Sequence, residues 1–403
     1  MRRAIVVLAL LASAAFARGQ TIFVTTTADS GPGSLREAIH TANDTCISAV
    51  SCIIGFRIPN ATAPWVTIVT ATPLPRVTRS VRIDGGTQTR FFGDTNPAGP
   101  EVELTGVANR EGHGIVYRGC GRFQLSDLTI NGFPGSGVFL TTPACTSPAG
   151  ADIRNSYIGT DPTGMRSVRN QRGVSVDGVM DATIAGNVIS GNMRSGVYVQ
   201  SGQVSVEGNR IGLTPERTPL GNGASGIYAG PGSFATGVSG NFIGFNAHWG
   251  IAIGADAGFV SAAGNSLQGH FGLGIDWGHD MNPINSRIPA PEITSVRVEN
   301  GQTIIEGTNT TTNTSVFEGE VYLYSNDAPH WTGYGEGQEP LGFVRVRGTT
   351  FSLTVDRDLG GKWVTATFTL LTPLGFARSP RDHDINNSVG STTSEFSRAV
   401  LVQ

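Results

Sequence analysis

The chain has 403 residues and a formal net charge of -3 from 28 basic and 31 acidic side chains, which leaves no basis for a general nucleic-acid binder. With 39% hydrophobic and 15% charged residues it carries enough apolar material for a large core and is not a disordered chain. Its 55 glycines disfavour long surface helices and favour many turns with close backbone approach.

The chain opens on Arg2 and Arg3, an apolar run from Ala4 to Leu11, and Ala15-Phe16-Ala17. This pattern predicts a secretory signal peptide over residues 1–17, too short to span a bilayer, and no later apolar stretch reaches spanning length. The expectation is a secreted protein without a transmembrane span, extracellular, cell-surface associated or periplasmic. Four cysteines suit an oxidising compartment, and we expect Cys46 to pair with Cys52 and Cys120 with Cys145 as loop staples. No Cys/His array of metal-binding spacing is present.

Residues 21–100 read as a cap and first strands. Ser34 followed by Glu37 forms a capping box, and Leu35, Ala38, Ile39 and Ala42 make an apolar stripe at helical spacing. An amphipathic helix should therefore lie over the first turn of strands.

From residue 101 to 285 a repeat dominates. Gly114, Gly137, Gly173, Gly196, Gly226, Gly250 and Gly274 each precede Val or Ile, at spacings of 23, 36, 23, 30, 24 and 24 residues. Such a period signals a solenoid. Alternate residues after each glycine are apolar, and two further apolar columns accompany them: Leu125, Ile153, Ile184, Val206 and Val238, then Ile130, Ile158, Ile189, Ile211, Ile243 and Leu267. Three short strands per turn, stacked about 4.8 Å apart, make a parallel β-helix, expected to be right-handed. Asn187, Asn209, Asn241 and Asn265 each follow a glycine suited to a left-handed corner and predict a buried asparagine ladder; alignment for a ligand is the alternative. The two long turns carry their insertions at the same point, after Ile158-Gly159 and Ile211-Gly212, which maps both to one side of the solenoid.

Pro283, Pro289 and Pro291 mark the end of the repeat. Short alternating strands separated by turn residues over 290–403 suggest an immunoglobulin-like β-sandwich, serving as an end cap or an adhesion module. The fold class is thus all-β: a right-handed parallel β-helix with an N-terminal amphipathic helix cap and a C-terminal β-sandwich.

The stretch "ADSGPGSLREAIHTAN" resembles the motif heading the bacterial CSLREA-type secreted parallel β-helix proteins, and "SVRIDGG", "NSYIGTDPTG" and "GNGASGI" are similar to their later repeats. The closing "GYGEGQEPLG" and "TSEFSRAVLV" resemble the C-terminal β-domain of the same proteins. The resemblance implies architecture and secretion rather than an activity. Gly33 stands where the motif has Cys, and no transmembrane barrel sequence follows.

Several residue sets could carry chemistry. Gly112-His113-Gly114 matches a tripeptide of polygalacturonases, but the chain has no Asp-Asp pair to accompany it. Lys362, the only lysine, lies outside the repeat, so a lysine-based lyase site is not expected on the helix. The outward Arg154, Arg169, Arg172, Arg194 and Arg210 could bind an acidic glycan or pair with Asp177, Asp181 and Glu207. Tyr198 and Tyr228 occupy one outward column and offer faces and hydroxyls to sugar rings. The densest acid–base set is His248, Asp256, His270, Asp276, His279 and Asp280 near the last turns; Asp276, His279 and Asp280 are the catalytic candidates, with Asp276 expected to point outward. Junction contacts with the next domain are the competing account of this set. No cofactor is required, and Ca²⁺ is the one ion such carboxylates suggest. The function expected is noncatalytic binding of an extracellular polysaccharide or surface protein, with Tyr198, Tyr228 and Arg194 as ligand contacts. A polysaccharide lyase or glycoside hydrolase is the alternative.

Overall fold

The computed structural model describes residues 20–46, 52–59, 63–145, 149–234, 236–278, 288–309, 318–371 and 391–403. The segment 1–17, the boundary at 285, and His279 and Asp280 lie outside the described residues.

The helix Leu35–Thr45 forms where the capping box places it. Ser34 accepts the Glu37 amide, while the Glu37 carboxylate accepts the Gly33 amide at 3.0 Å. Leu35, Ala38, Ile39 and Ala42 are its buried face. Gly33 has φ of +77°, and a Cβ there would meet Thr25 Oγ1 at 2.3 Å, so this chain has no room for a side chain at that point. Both expected disulfides form, Cys46–Cys52 and Cys120–Cys145, with Cα separations of 5.9 and 5.5 Å.

The protein is a parallel β-helix in which the described residues form a 14-stranded and an 8-stranded sheet, both parallel. The three apolar columns are its interior. Val174, Val197, Ile227, Ile251 and Ile275 stack in register, as do Ile158, Ile189, Ile211, Ile243 and Leu267, each essentially without solvent exposure. In the middle turns two of the three expected strands run together as Arg172–Ala185 and Val197–Glu207, paired through register shifts. They separate again in later turns, as Ile227–Ser233 and Thr236–Ser239.

The repeated glycines do two different things. Gly186, Gly208, Gly240 and Gly264 adopt φ of +62 to +68° and turn the corner before each ladder asparagine. The register glycines are needed for close approach instead: a Cβ on Gly173 would lie 2.4 Å from the Gly196 carbonyl of the next turn.

Beyond the solenoid lie two antiparallel sheets. Glu292–Glu299, Gln302–Thr308 and Thr350–Val355 form one, and Glu339–Val346, Glu318–Asn326, Trp363–Leu371, Ser391–Thr393 and Val400–Leu401 form the other. They sandwich a separate core that includes Ile305, Val321, Leu323, Val364 and Phe368. Tyr324 and Phe396 of this domain extend the solenoid core. The last-turn amides of Leu267, Ala262 and Trp277 donate to the Gly337 carbonyl, Thr393 Oγ1 and the Glu395 carboxylate at 2.8 to 2.9 Å. An open solenoid end is a strand-pairing template, and the sandwich closes it.

Candidate functional site

Local polar order decides which residues remain available. Asn187, Asn209, Asn241 and Asn265 hydrogen-bond in series, each Nδ2 reaching the next Oδ1 at 2.9 Å, and Ser156 begins the column by donating its amide to Asn187. A second ladder accompanies it: Asn170, Asn192, Asn222 and Asn246, linked at 2.9 to 3.2 Å. Its signal in the sequence is a polar residue three or four positions before each register glycine, which the Gly-Asn pattern hides.

His270 is the last member of this second ladder. Its Nδ1 accepts the Asn246 amide at 3.3 Å, and its Nε2 stands 2.8 Å from where a Gly250 Cβ would be, the place the Asn246 amide nitrogen holds beside Gly226 at 2.9 Å. The ring takes the place of a side-chain amide at the end of the ladder. Burial lowers its pKa to about 3, so it stays neutral. His270 is therefore a structural histidine.

Asp276 corrects a second expectation. It occupies the outward column predicted for it, paired in register with Ala252, yet it is fully buried, as Ala252 is. The C-terminal domain closes over this turn, with Trp277 donating from its amide to Glu395 and from its indole to the Thr393 carbonyl. Among the described members of the His/Asp-rich set, His248 and Asp256 are exposed, whereas His270 and Asp276 are buried. Among the described residues, no three His, Cys, Asp or Glu groups come together as a metal site.

Tyr198 and Tyr228 stack with centroids 4.8 Å apart and planes 9° from parallel, and the Arg172 guanidinium lies 3.9 Å over Tyr198. Both faces of Tyr198 are thus occupied within the protein. The column presents ring edges and hydroxyls, and the Tyr198 hydroxyl already donates to Gln200. The acids expected to partner the outward arginines are engaged elsewhere: Asp177 with Ser201, Asp181 with Arg122, and Glu207 with Ser205. Arg154 meets Asp152 at 3.6 Å instead. Arg194 is exposed and makes no side-chain hydrogen bond or ion pair among the described residues.

Arg194 lies on a continuous edge. Main-chain hydrogen bonds stack the turns Met193-Arg194, Gly223-Ala224, Ala247-His248 and Phe271-Gly272 beside the second ladder. Phe271 is 70% exposed and Trp331, from the C-terminal domain, 71% exposed; the Trp331 indole donates to the Phe271 carbonyl at 3.1 Å. Met193 is exposed at the other end, with the small Gly223 and Ala224 forming a dip between. The edge spans three strand spacings, on the order of 15 Å, before the tryptophan. Sequence patterning missed Phe271 and Trp331 because one sits in a turn and the other is about 60 residues away, in another domain.

One carboxyl pair lies apart from this edge. Asp84 is buried, with Oδ2 bonded to Arg90 at 2.7 Å and Arg82 at 3.0 Å. Among the described residues its Oδ1 has no hydrogen-bond partner, and this atom and Asp127 Oδ2 lie 3.3 and 3.2 Å from a single point above Gly86, hence no more than 6.5 Å from one another. Burial, then the nearby Asp84 charge, raises the Asp127 pKa.

Residues 58–269 match the family described as "Protein of unknown function (DUF1565)". The chain belongs to this family. No curated protein matches it. Solved structures similar to this DUF1565 member include the enzymatically active domain of tailspike protein 2 from bacteriophage CBA120, at 8% identity and a TM-score of 0.35, covering 83% of this chain and 71% of that one. Tailspike gp49 of Acinetobacter baumannii bacteriophage Fri1, a capsular polysaccharide depolymerase, is similar at 8% identity and a TM-score of 0.32, covering 94% and 83%. The A-module of a mannuronan C-5 epimerase of Azotobacter vinelandii is similar at 16% identity and a TM-score of 0.27, covering 61% and 73%. At such identities and TM-scores the activities of those proteins do not transfer to this chain. Among the described residues, no helix is long and apolar enough to cross a membrane.

Proposed function

We propose that this protein is a secreted, noncatalytic β-helix that binds extracellular polysaccharide along the edge bearing Arg194, His248, Phe271 and Trp331. The observation that carries the reading is the pair of strongly exposed aromatic rings, held together by the Trp331–Phe271 hydrogen bond and contributed by two domains. Exposed aromatic faces fixed in place stack on the apolar faces of sugars at little entropic cost, and a neighbouring unpaired guanidinium supplies hydrogen bonds. The two disulfides support an oxidising compartment. Burial of Asp276 and the ladder role of His270 favour binding over acid–base chemistry at this end. Tyr198 and Tyr228 contribute hydroxyl edges beside Arg194 rather than stacking faces.

A hydrolase acting on a polysaccharide is the second reading, and the Asp84–Asp127 pair favours it: one carboxyl group is paired with Arg82 and Arg90, while burial raises the pKa of the other. A glycan array on the full chain, with product analysis of each ligand, tests both. Binding without new reducing or unsaturated ends, weakened about tenfold or more in Phe271→Ala and Trp331→Ala at unchanged melting temperature, is the expected result. Cleavage that disappears in Asp127→Asn would replace it with the hydrolytic reading.

A further inference from the structure

The paired insertions fold alike and differ at one decisive position. The first closes through the Thr160–Ser167 bridge and the second through Leu213–Pro219. Each has a left-handed residue at the tip: Gly164 with φ of +74° in the first, Arg217 with φ of +65° in the second. Gly164 has no room for a side chain, since a Cβ there would meet Pro215 of the following loop at 2.6 Å. Arg217 stands on the last loop. Nothing about a tight turn calls for arginine in a conformation that glycine adopts without strain, and strained residues held by their surroundings are a recurrent mark of functional positions.

Packing holds Arg217 by one face. Its guanidinium sits 3.5 Å over the Phe242 ring. Stacking occupies the face of the group and leaves its N–H edge available, already oriented, for a planar acceptor. Beside it a groove of about 380 Å³ runs between the loop, the last strands of the smaller solenoid sheet and the C-terminal domain. Its walls are locked: Gln338 bonds Asp327, Ser325 donates to Glu339, and Asn326 donates to Thr365. The acids are matched as well, Asp327 by Lys362 and Glu339 by Arg357. Lys362 thus lines a groove with solenoid residues, although it lies outside the repeat. The Arg217 guanidinium and the Gln268 amide remain without hydrogen-bond partners among the described residues. The groove therefore has rigid polar walls, one surplus positive charge with a bidentate donor edge, and one open amide.

We infer that this groove binds a carboxylate-bearing sugar, a hexuronate residue of an acidic polysaccharide, with Arg217 reading the carboxylate and Gln268 an adjacent hydroxyl. It is a site separate from the aromatic edge and independent of it.

Calorimetric titration of the full chain with trigalacturonate and with the neutral galactotriose tests the inference. The wild type should bind the acidic trisaccharide in preference, with affinity falling as salt rises. Arg217→Gly is the deciding variant, because glycine suits the left-handed turn and the protein should melt at the same or a higher temperature. Its affinity for trigalacturonate should fall at least about tenfold. Arg217→Lys should lose most of the affinity, since an ammonium cannot make the bidentate contact. Equal affinity in Arg217→Gly and wild type, or no wild-type preference for the acidic trisaccharide, overturns the inference. A groove that binds while the aromatic edge does not would overturn only the edge reading.

Discussion

His270 makes the β-helix acid-sensitive in a way that one substitution should remove. In the folded protein its pKa is lowered to about 3, from the ordinary histidine value of 6.5, chiefly by burial. A group with a depressed pKa that is neutral when folded costs stability wherever the unfolded chain binds the proton and the native one does not, here from about pH 6.5 down to about 3. Each pH unit within that window costs about 1.4 kcal/mol, so by pH 4.5 the loss reaches about 3 kcal/mol. Two neighbours modify the slope. His330, also lowered by burial, adds to it. Glu336, whose carboxylate accepts the Gly269 and His270 amides, is raised by burial, so it loses stability as pH rises through its folded value and returns some as pH falls. His270→Asn isolates the ring, because the four preceding ladder positions are asparagine and the Glu336 contacts are to the main chain. The assay is urea denaturation of both proteins at pH 7.5, 6, 5 and 4.5. The two should be close at pH 7.5, with the variant more stable by about 3 kcal/mol at pH 4.5. Parallel pH profiles would refute the assignment of His270 as a neutral ladder member.

Two further expectations concern the scaffold. Asn209→Ala removes the acceptor of the Asn187 amide and side chain and the donor to the Ile184 carbonyl, leaving buried groups unpaired; a loss of roughly 2–4 kcal/mol should be seen by calorimetry. Gly173→Ala should be far more damaging than Gly208→Ala: the first places a Cβ 2.4 Å from the Gly196 carbonyl, whereas the second meets nothing within 4 Å and bears only the left-handed penalty, about 1–2 kcal/mol. Comparable melting temperatures for the two variants would contradict the division of the glycines into approach and corner classes.

The interior of this protein was legible in its sequence because a solenoid writes each turn beside the last. Register glycines spaced 23 or 24 residues apart, and 36 and 30 where the insertions fall, with Val197, Ile227, Ile251 and Ile275 behind them, name the same column again and again, and stacking in register follows from local pattern alone. The capping box, the first asparagine ladder and both disulfides depend on residues near in sequence or repeated in phase, and they were legible for the same reason. Availability to solvent and to ligands was not. Asp276 stands at an outward position by alternation, yet a domain whose covering residues lie more than 100 positions away buries it. Tyr198 loses its faces to Arg172 and Tyr228, which periodicity could align but not orient. Trp331 meets Phe271, and Lys362 meets the groove beside Arg217, only once the sandwich docks on the last turn. Sequence determined the stack, because its contacts recur at a fixed period; only the tertiary structure decided the surface, because non-repeating segments choose which of its positions stay open.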